Sequence, residues 1–441
     1  MIRSALTLLF LLVLPLSGSE RLRLIIETDA GGDPDDEQSL VRFLLYANEW
    51  DIDGIIANRP TARPGENRNA ERTGLGIVRQ LIRAYGECWP NLVQHDQRYP
   101  KGEALLSRTV AGYNDSEDAV NLLIAAVDAP DARPIWYSDW GTDHGAATNN
   151  LQRALDKILR ERGDEAYAKF KKKLRIIAGD TLFVAHRERP PAWTFWINTW
   201  APPVDGKRWY HRFSGITATA GGFDLMKHVL TGHGPLGALY PTNTTHWQKE
   251  GDSGSFLYLV PTGMNDPNEP TWGSWAGRYG SRDEFPNLPY YWANQVDAWQ
   301  NSTNRDNTLK RWAAHLQNDF RARLDWCVKP FAEANHPPVV MLNGKSGTDI
   351  VRIPCKAGET VRLNAKGSAD PDEQSLDYEW FIYRDAGTYR GSAQIDAANA
   401  PAARVQVPRD AAGKTIHVLV SVTDTGEPPL TRYRRAILEI E

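Results

Sequence analysis

Only three cysteines, Cys88, Cys327 and Cys355, occur in 441 residues. They allow at most one internal disulfide, and their spacing fits neither a zinc site nor a disulfide-stapled mini-domain, so stability has to come mainly from a packed core. A basic excess is missing as well: 51 Lys and Arg stand against 55 Asp and Glu, a formal net charge of −4. Binding a phosphate backbone calls for a basic face, so nucleic acid is excluded as an expected partner. Long apolar runs are absent after the N-terminus, where Arg3 precedes an apolar stretch over 5–14 that Pro15, Ser17, Gly18 and Ser19 break. That is the pattern of a signal peptide over residues 1–19, and the stretch falls short of the roughly 20 residues a membrane helix needs. The chain is expected to be secreted or periplasmic, with no membrane segment after cleavage.

What is present alternates between strand and helix. Apolar, branched runs at 22–26, 51–57, 133–138 and 174–178 read as strands, and periodic segments at 38–48, 69–84, 117–127, 149–162 and 165–172 read as helices. Such alternation favours an α/β fold, an open, mostly parallel sheet with flanking helices. Between Trp193 and Trp326 the texture changes, because 11 of the 16 tryptophans fall there among glycine- and proline-rich turns. Within this region 255–260 reads as a strand and 305–327 as a closing helix. Residues 334–338 have the composition of a linker, which places the first domain at 20–333. The rest, 334–441, shows short alternating runs at 360–364, 376–383, 403–407, 415–423 and 432–440, the spacing of an all-β sandwich.

Chemistry concentrates in Glu27-Thr28-Asp29-Ala30-Gly31-Gly32-Asp33-Pro34-Asp35-Asp36, between the first strand and the first helix. Four aspartates so close repel one another unless a cation or bound protons relieve them. Capping the helix uses one carboxylate, not four. A hard cation with oxygen ligands is the natural partner, and calcium takes six to eight. Ligands of open α/β sheets sit at the carboxyl ends of strands, where this loop stands.

The loop resembles the Asp-x-Asp-Pro-Gly-x-Asp-Asp of nucleoside hydrolases, with two extra residues between its halves. It is more similar to a cellulose-binding, nucleoside-hydrolase-like branch of that superfamily, through Gly31-Gly32-Asp33-Pro34-Asp35-Asp36 followed by Gln38-Ser39-Leu40-Val41-Arg42. The same branch is resembled at His233-Gly234-Pro235-Leu236-Gly237, Glu250-Gly251-Asp252-Ser253, Gly277-Arg278-Tyr279 and Gln317-Asn318-Asp319-Phe320, and in a C-terminal immunoglobulin-like sandwich with Gly367-Ser368-Ala369-Asp370-Pro371-Asp372, Tyr378 and Trp380. The resemblance implies a calcium ion held by Asp29, Asp36, Asp252 and the carbonyl of Thr148. It also implies that Asp29 deprotonates a metal-bound water and that Asp35 receives a sugar hydroxyl.

Departures from the pattern matter equally. Nucleoside-cleaving enzymes carry a histidine directly before the closing aspartate, and here Gly251 stands there. His246, Glu250 and His233 are the nearby substitutes, each with an ordinary structural role as the alternative. Asn198, between Trp196 and Trp200, is the nearest counterpart of the segment that grips ribose. Trp247, Trp272, Trp275, Tyr279, Tyr290, Tyr291 and Trp292 are flat faces suited to sugar rings or to core packing. Arg278 suits an anion clamp or a salt bridge, and Asp370 with Asp372 a calcium site or a polar turn. Two functions remain: a calcium-dependent hydrolase of N-glycosyl or related glycosidic bonds, and a non-catalytic protein binding cellulose or another plant polysaccharide. Either takes a carbohydrate or nucleoside-like ligand, with Asp35, Asn198, Glu250 and Trp247 as candidate contacts. The sequence leaves the oligomeric state open.

Overall fold

A computed structural model describes residues 20–64, 71–141, 149–178, 195–199, 212–242, 247–281 and 287–441. The expected signal peptide, Thr148, Trp200 and His246 lie outside them. β1 (Leu22–Thr28) is buried on both faces by branched and apolar residues, as the middle of a parallel sheet requires. α1 (Pro34–Leu45), β2 (Trp50–Ala57), α2 (Gly74–His95), α3 (Gly102–Leu106), β3 (Thr109–Ala111), α4 (Asp118–Asp128), β4 (Ile135–Asp139), α5 (Asn150–Lys173) and β5 (Leu174–Ala178) continue the alternation. β6 (Trp196–Asn198) and β7 (Tyr290–Trp292) complete a seven-stranded sheet in the order β3-β2-β1-β4-β5-β6-β7, every pair parallel. Glu27 faces α5 through Asn150, and the next residue, Thr28, faces α1 through Asp36. This alternation carries helices on both sides of the sheet.

The expected pair of helices over 149–172 is one run bent at Gly163, whose φ of 79° ends one helix and starts the next. Two expectations fail. The run 255–260 is no strand: α8 (Ser253–Leu257) begins just after Asp252, and Ser255 turns its hydroxyl onto the Asp252 carbonyl at 2.7 Å. A short apolar run cannot by itself distinguish a buried strand from a buried helix. The single helix over 305–327 is two, α9 (Asn307–Lys310) and α10 (Ala313–Trp326). At the break the Trp312 ring packs against Phe381, Tyr383 and Tyr433 of the sandwich, and Arg311 lies 4.2 Å over Tyr383. The region rich in tryptophan also holds the short helices α6 (Arg212–Thr217) and α7 (Gly234–Ala238) and the hairpin β8 (Asp297–Trp299) with β9 (Ser302–Asn304).

The C-terminal part forms two sheets. One is β10 (Val351–Cys355), β16 (Thr431–Ile440), β15 (Thr415–Asp424) and β12 (Leu376–Ile382); the other is β11 (Thr360–Asn364), β14 (Ala402–Gln406) and β13 (Gln394–Asp396). Trp380 is buried between them with Val405, Val418, Val420 and Leu438. Tyr383, Leu419 and Tyr433 instead join the core of the α/β part, so the sandwich is packed onto it. Among the described residues no helix is long and apolar enough to cross a membrane, and all three cysteines are buried free thiols.

Candidate functional site

Strand order reverses beside β1, since β2 and β3 lie to one side and β4 to β7 to the other. The crevice at the carboxyl ends of β1 and β4 is therefore the expected ligand position of such a sheet. The acidic loop fills its rim. Asp33 caps α1, its Oδ1 accepting the Asp35 amide at 3.3 Å, and Pro34 occupies the first turn. Gly31, at φ 92°, lets the chain turn back so that its amide donates to Glu37 at 3.0 Å. Asp36 points from α1 to the end of β1, where the Thr28 hydroxyl and the Asp29 amide (3.1 Å) donate to it.

The closing aspartate arrives from more than 200 positions away, and the resembling motifs explain how. Gln38 on α1 accepts the amides of Lys249 (2.6 Å) and Glu250 (3.2 Å) and donates to the carbonyls of Pro241 and Trp247. One turn on, Arg42 donates to Glu250 at 2.5 Å and to Gln317 at 2.8 Å, over the Phe320 ring. Ser39 meets Ser253 at 3.2 Å. The Gln-Ser-Leu-Val-Arg, Glu-Gly-Asp-Ser and Gln-Asn-Asp-Phe segments are thus contacts of one another, and together they hold Asp252 above Asp36.

Carboxylate oxygens of Asp35, Asp36 and Asp252 come within 4.8 Å of one another, all three residues buried. Asp252 Oδ2 is buried without a hydrogen-bond partner. Burial first, then the charges of Asp29 and Asp252, push the Asp36 carboxyl well above the usual range; burial, Asp29 and Asp33 do the same to Asp252. Asp29 is raised less, because burial there is opposed by its bond to Asp36 and by Arg59, 3.7 Å away. The Lys249 ammonium lies 2.5 Å from Asp33 and 3.5 Å from Asp35. An oxygen-only donor set with a bare buried oxygen fits a hard divalent cation and not a soft one.

Two residues of the site escaped the sequence reading. Asp139 ends β4, directly across the ladder from Glu27. Both its oxygens are buried without a well-formed hydrogen bond, and burial, then Glu27 and Asp29, push it well above the usual range against a weak pull from the Gly141 amide. Glu27 by contrast is saturated by Asn58 (3.0 Å), Asn150 (2.8 Å) and the Tyr137 hydroxyl. The sequence pattern ends this strand one residue earlier, at Ser138, and an aspartate closing a buried strand is the signal that extends it. Lys249 is the other, two residues before the empty histidine position.

The remaining expected residues divide. Asn198 is buried at the carboxyl end of β6, and Trp247 is 60% exposed near the rim. Glu250 faces inward, its carboxylate held by Arg42, Tyr240 (2.8 Å), Gln248 (2.9 Å) and Ser253 (2.8 Å), an anchor for the segment carrying Asp252. His233 bonds Asp325 at 3.2 Å. Trp275, Tyr279, Tyr290 and Trp292 are core. Arg278 is buried against Asp297 at 2.6 Å, a salt bridge and not an anion clamp. At Gly251 an added Cβ would stand 2.8 Å from Asp35 Oδ2, so the position is closed to any side chain unless Asp35 moves.

A parallel sheet with an acidic crevice at its switch point and a strand-loop-helix built on Asp29, Asp35 and Asp36 defines a nucleoside-hydrolase-like protein. Residues 23–279 match the family described as "Cellulose-binding Sde182, nucleoside hydrolase-like domain", and residues 360–440 match "Cellulose-binding protein Sde0182, C-terminal domain". The chain belongs to this family. A solved structure, of a nucleoside hydrolase-related hypothetical protein from Saccharophagus degradans associated with carbohydrate metabolism, is 30% identical at a TM-score of 0.74, covering 96% of this chain and 100% of that one. Four extracellular domains of protocadherin gamma B7 align at 12% identity and a TM-score of 0.13, over 21% of this chain and 24% of theirs, too little to bear on the fold. No curated protein matches the sequence.

Proposed function

We propose that this chain is an exported, calcium-dependent hydrolase of N-glycosyl or related glycosidic bonds. The observation that carries the reading is the buried set Asp35, Asp36 and Asp252 beside Asp29, with an unpartnered oxygen turned into it. Asp29, Asp36, Asp252 and the Thr148 carbonyl would hold the ion. When bound, calcium supplies Lewis acidity toward water and fixes sugar hydroxyls. Asp29 takes the proton of the attacking water, a task suited to a carboxylate whose proton affinity burial has raised. Asp35 accepts a sugar hydroxyl, and Asn198 and the exposed Trp247 face offer polar and stacking contacts to the rest of the carbohydrate.

A second reading has its own support. Gly251 supplies no leaving-group acid, Lys249 already sits against Asp33 and Asp35, and the family is described as cellulose-binding. A protein that holds cellulose or another plant polysaccharide without cleaving it needs sugar contacts such as the exposed Trp247 face but no acid. Release of free sugar from nucleosides, aryl glycosides and plant oligosaccharides, in calcium-loaded protein and in Asp29→Ala, separates the two. Turnover lost in the variant supports hydrolysis. Cellulose or oligosaccharide retained equally by both proteins with no sugar released overturns it in favour of binding.

A further inference from the structure

The turn Gly367-Ser368-Ala369-Asp370-Pro371-Asp372 of the sandwich is absorbed by neither reading. Asp372 is taken: its carboxylate accepts the backbone amide of His336 at 2.7 Å and His336 Nδ1 at 2.9 Å. Asp370 behaves differently. Its Oδ1 accepts the amides of Asp372 (2.8 Å) and Gln374 (3.1 Å), and its Oδ2 is buried with no partner. Gln374 repeats the pattern, with Nε2 donating to Asn335 Oδ1 at 2.6 Å and Oε1 left bare and buried. So does Asp424, which is 2% exposed: Oδ1 accepts Asn335 Nδ2 (3.0 Å), Gly426 N (2.9 Å) and Leu430 N (3.0 Å), and Oδ2 has nothing.

These three side chains belong to one place. Asp424 is the last residue of β15 and stands across the ladder from Leu376, two residues after Gln374. The Asn335 amide spans Gln374 and Asp424, and Asp370 is near enough for its charge to raise the Asp424 carboxyl beyond what burial does. Each side chain is anchored through one atom by backbone or amide groups and presents a second, bare oxygen. A cation satisfies all three without donors, and leaving buried carboxylate oxygens bare is otherwise expensive.

We propose that Asp370, Gln374 and Asp424 form a second divalent-cation site, of calcium type, which locks the 334–338 segment to the sandwich through Asn335. Calcium accepts this mixture of carboxylate and amide oxygens, with solvent completing the shell on the half-exposed side of Asp370 and Gln374. With two charged ligands, affinity falls in the range of extracellular modules, a Kd on the order of 0.1–1 mM. The site does not depend on the strand-end acids.

Equilibrium dialysis of the full chain against radioactive calcium tests it, in the Asp36→Asn background so that the strand-end site is silent. One calcium per chain is expected to remain. Asp370→Asn and Asp424→Asn each keep the anchored oxygen and turn the bare one into a donor, and each is expected to abolish that binding. Gln374→Leu removes the bare Oε1 and is expected to weaken it about tenfold. Circular-dichroism spectra and melting curves in calcium-free buffer that match the Asp36→Asn parent separate lost binding from misfolding. An Asp36→Asn chain that binds no calcium at millimolar concentrations, or binding indifferent to all three substitutions, overturns the site. Equal stoichiometry in the unaltered and Asp36→Asn chains would count against the strand-end site alone.

Discussion

Two buried regions of this molecule carry charge, and they resolve it in opposite ways. In the seam between the α/β part and the sandwich, the buried acids Asp297 and Asp319 each have cations. Asp297 accepts from Arg278 (2.6 Å), Arg311 (3.4 Å) and the Tyr383 hydroxyl (2.6 Å), and Asp319 lies between Arg323 (2.8 Å) and Arg432 (2.7 Å). Burial alone would raise Asp319, but Arg432 and Arg323 hold its carboxyl down to about 2. In the strand-end crevice, Asp36, Asp139 and Asp252 are as deeply buried, and there like charges add to the effect of burial. Burial therefore does not decide what a carboxylate is for. The supply of partners does: a completed network holds two parts of a fold together, and an incomplete one is held ready for a ligand.

The largest test of that contrast is in the seam. Asp297→Ala strands two arginines and a tyrosine hydroxyl in the interior, and urea unfolding is expected to show a loss of about 3–5 kcal/mol. The loss should be the same with and without calcium. Asp36→Asn should do the reverse. In calcium-free protein it removes one member of a repelling set and keeps the oxygen that accepts from Thr28 and the Asp29 amide, so stability should hold or rise. What disappears is the part of the calcium gain owed to the strand-end site, about 2.7 kcal/mol at a hundredfold excess over its Kd. A calcium-dependent gain that survives Asp36→Asn at full size would mean that the strand-end acids are not the main site.

A pH series separates the regions further. A carboxyl raised above its ordinary 3.8 takes protons more readily in the folded state, so the crevice acids contribute stability below about pH 4 that is lost as pH rises. Calcium offsets that loss, so the melting shift it produces should grow from pH 4 to 7. In the seam, burial lowers His315 to about 4; near the linker, burial, with His336, lowers His95 to about 4. A depressed histidine contributes stability that is present above 6.5 and lost as pH falls toward 4. The part of that acid-side loss owed to His315 should be indifferent to calcium. A melting shift that is flat across pH would contradict the assignment of the crevice.

The fold was legible because its strongest patterns were local. Residues 174–178 and 360–364 appear as drawn, and four clustered aspartates announced the crevice without any knowledge of tertiary contacts. Failures came where a short segment is fixed from elsewhere. The run 255–260 has the composition of a strand, yet its first half belongs to the helix that starts just after Asp252, a residue held over α1. The break at Trp312 is imposed by the sandwich rings. Glu250 looked like a candidate ligand because nothing nearby in sequence reveals Arg42, 208 positions away, at 2.5 Å. Asp139 is the same kind of residue seen from the other side: its meaning lies in the absence of a partner, which no linear pattern displays.

Asp139 therefore gives the smallest effect but the most direct comparison of the two regions. Asp139→Asn keeps the shape of the side chain and removes a charge that faces Glu27 across the ladder, with only the Gly141 amide near it as a backbone donor. Were it a completed partner, as Asp319 is, losing the charge would lower stability. Because it is incomplete, the calcium-free variant should be more stable, by about 1 kcal/mol, since like charges paired across strands are relieved while the amide oxygen can still accept from Gly141. The calcium-dependent gain should shrink in the same variant, because the field that draws a cation to Asp29 and Asp252 has lost one of its sources. Melting curves of both proteins with and without calcium measure the two effects independently. A variant less stable than the parent in the absence of calcium would move Asp139 to the seam's side of the comparison and leave the crevice with one acid fewer.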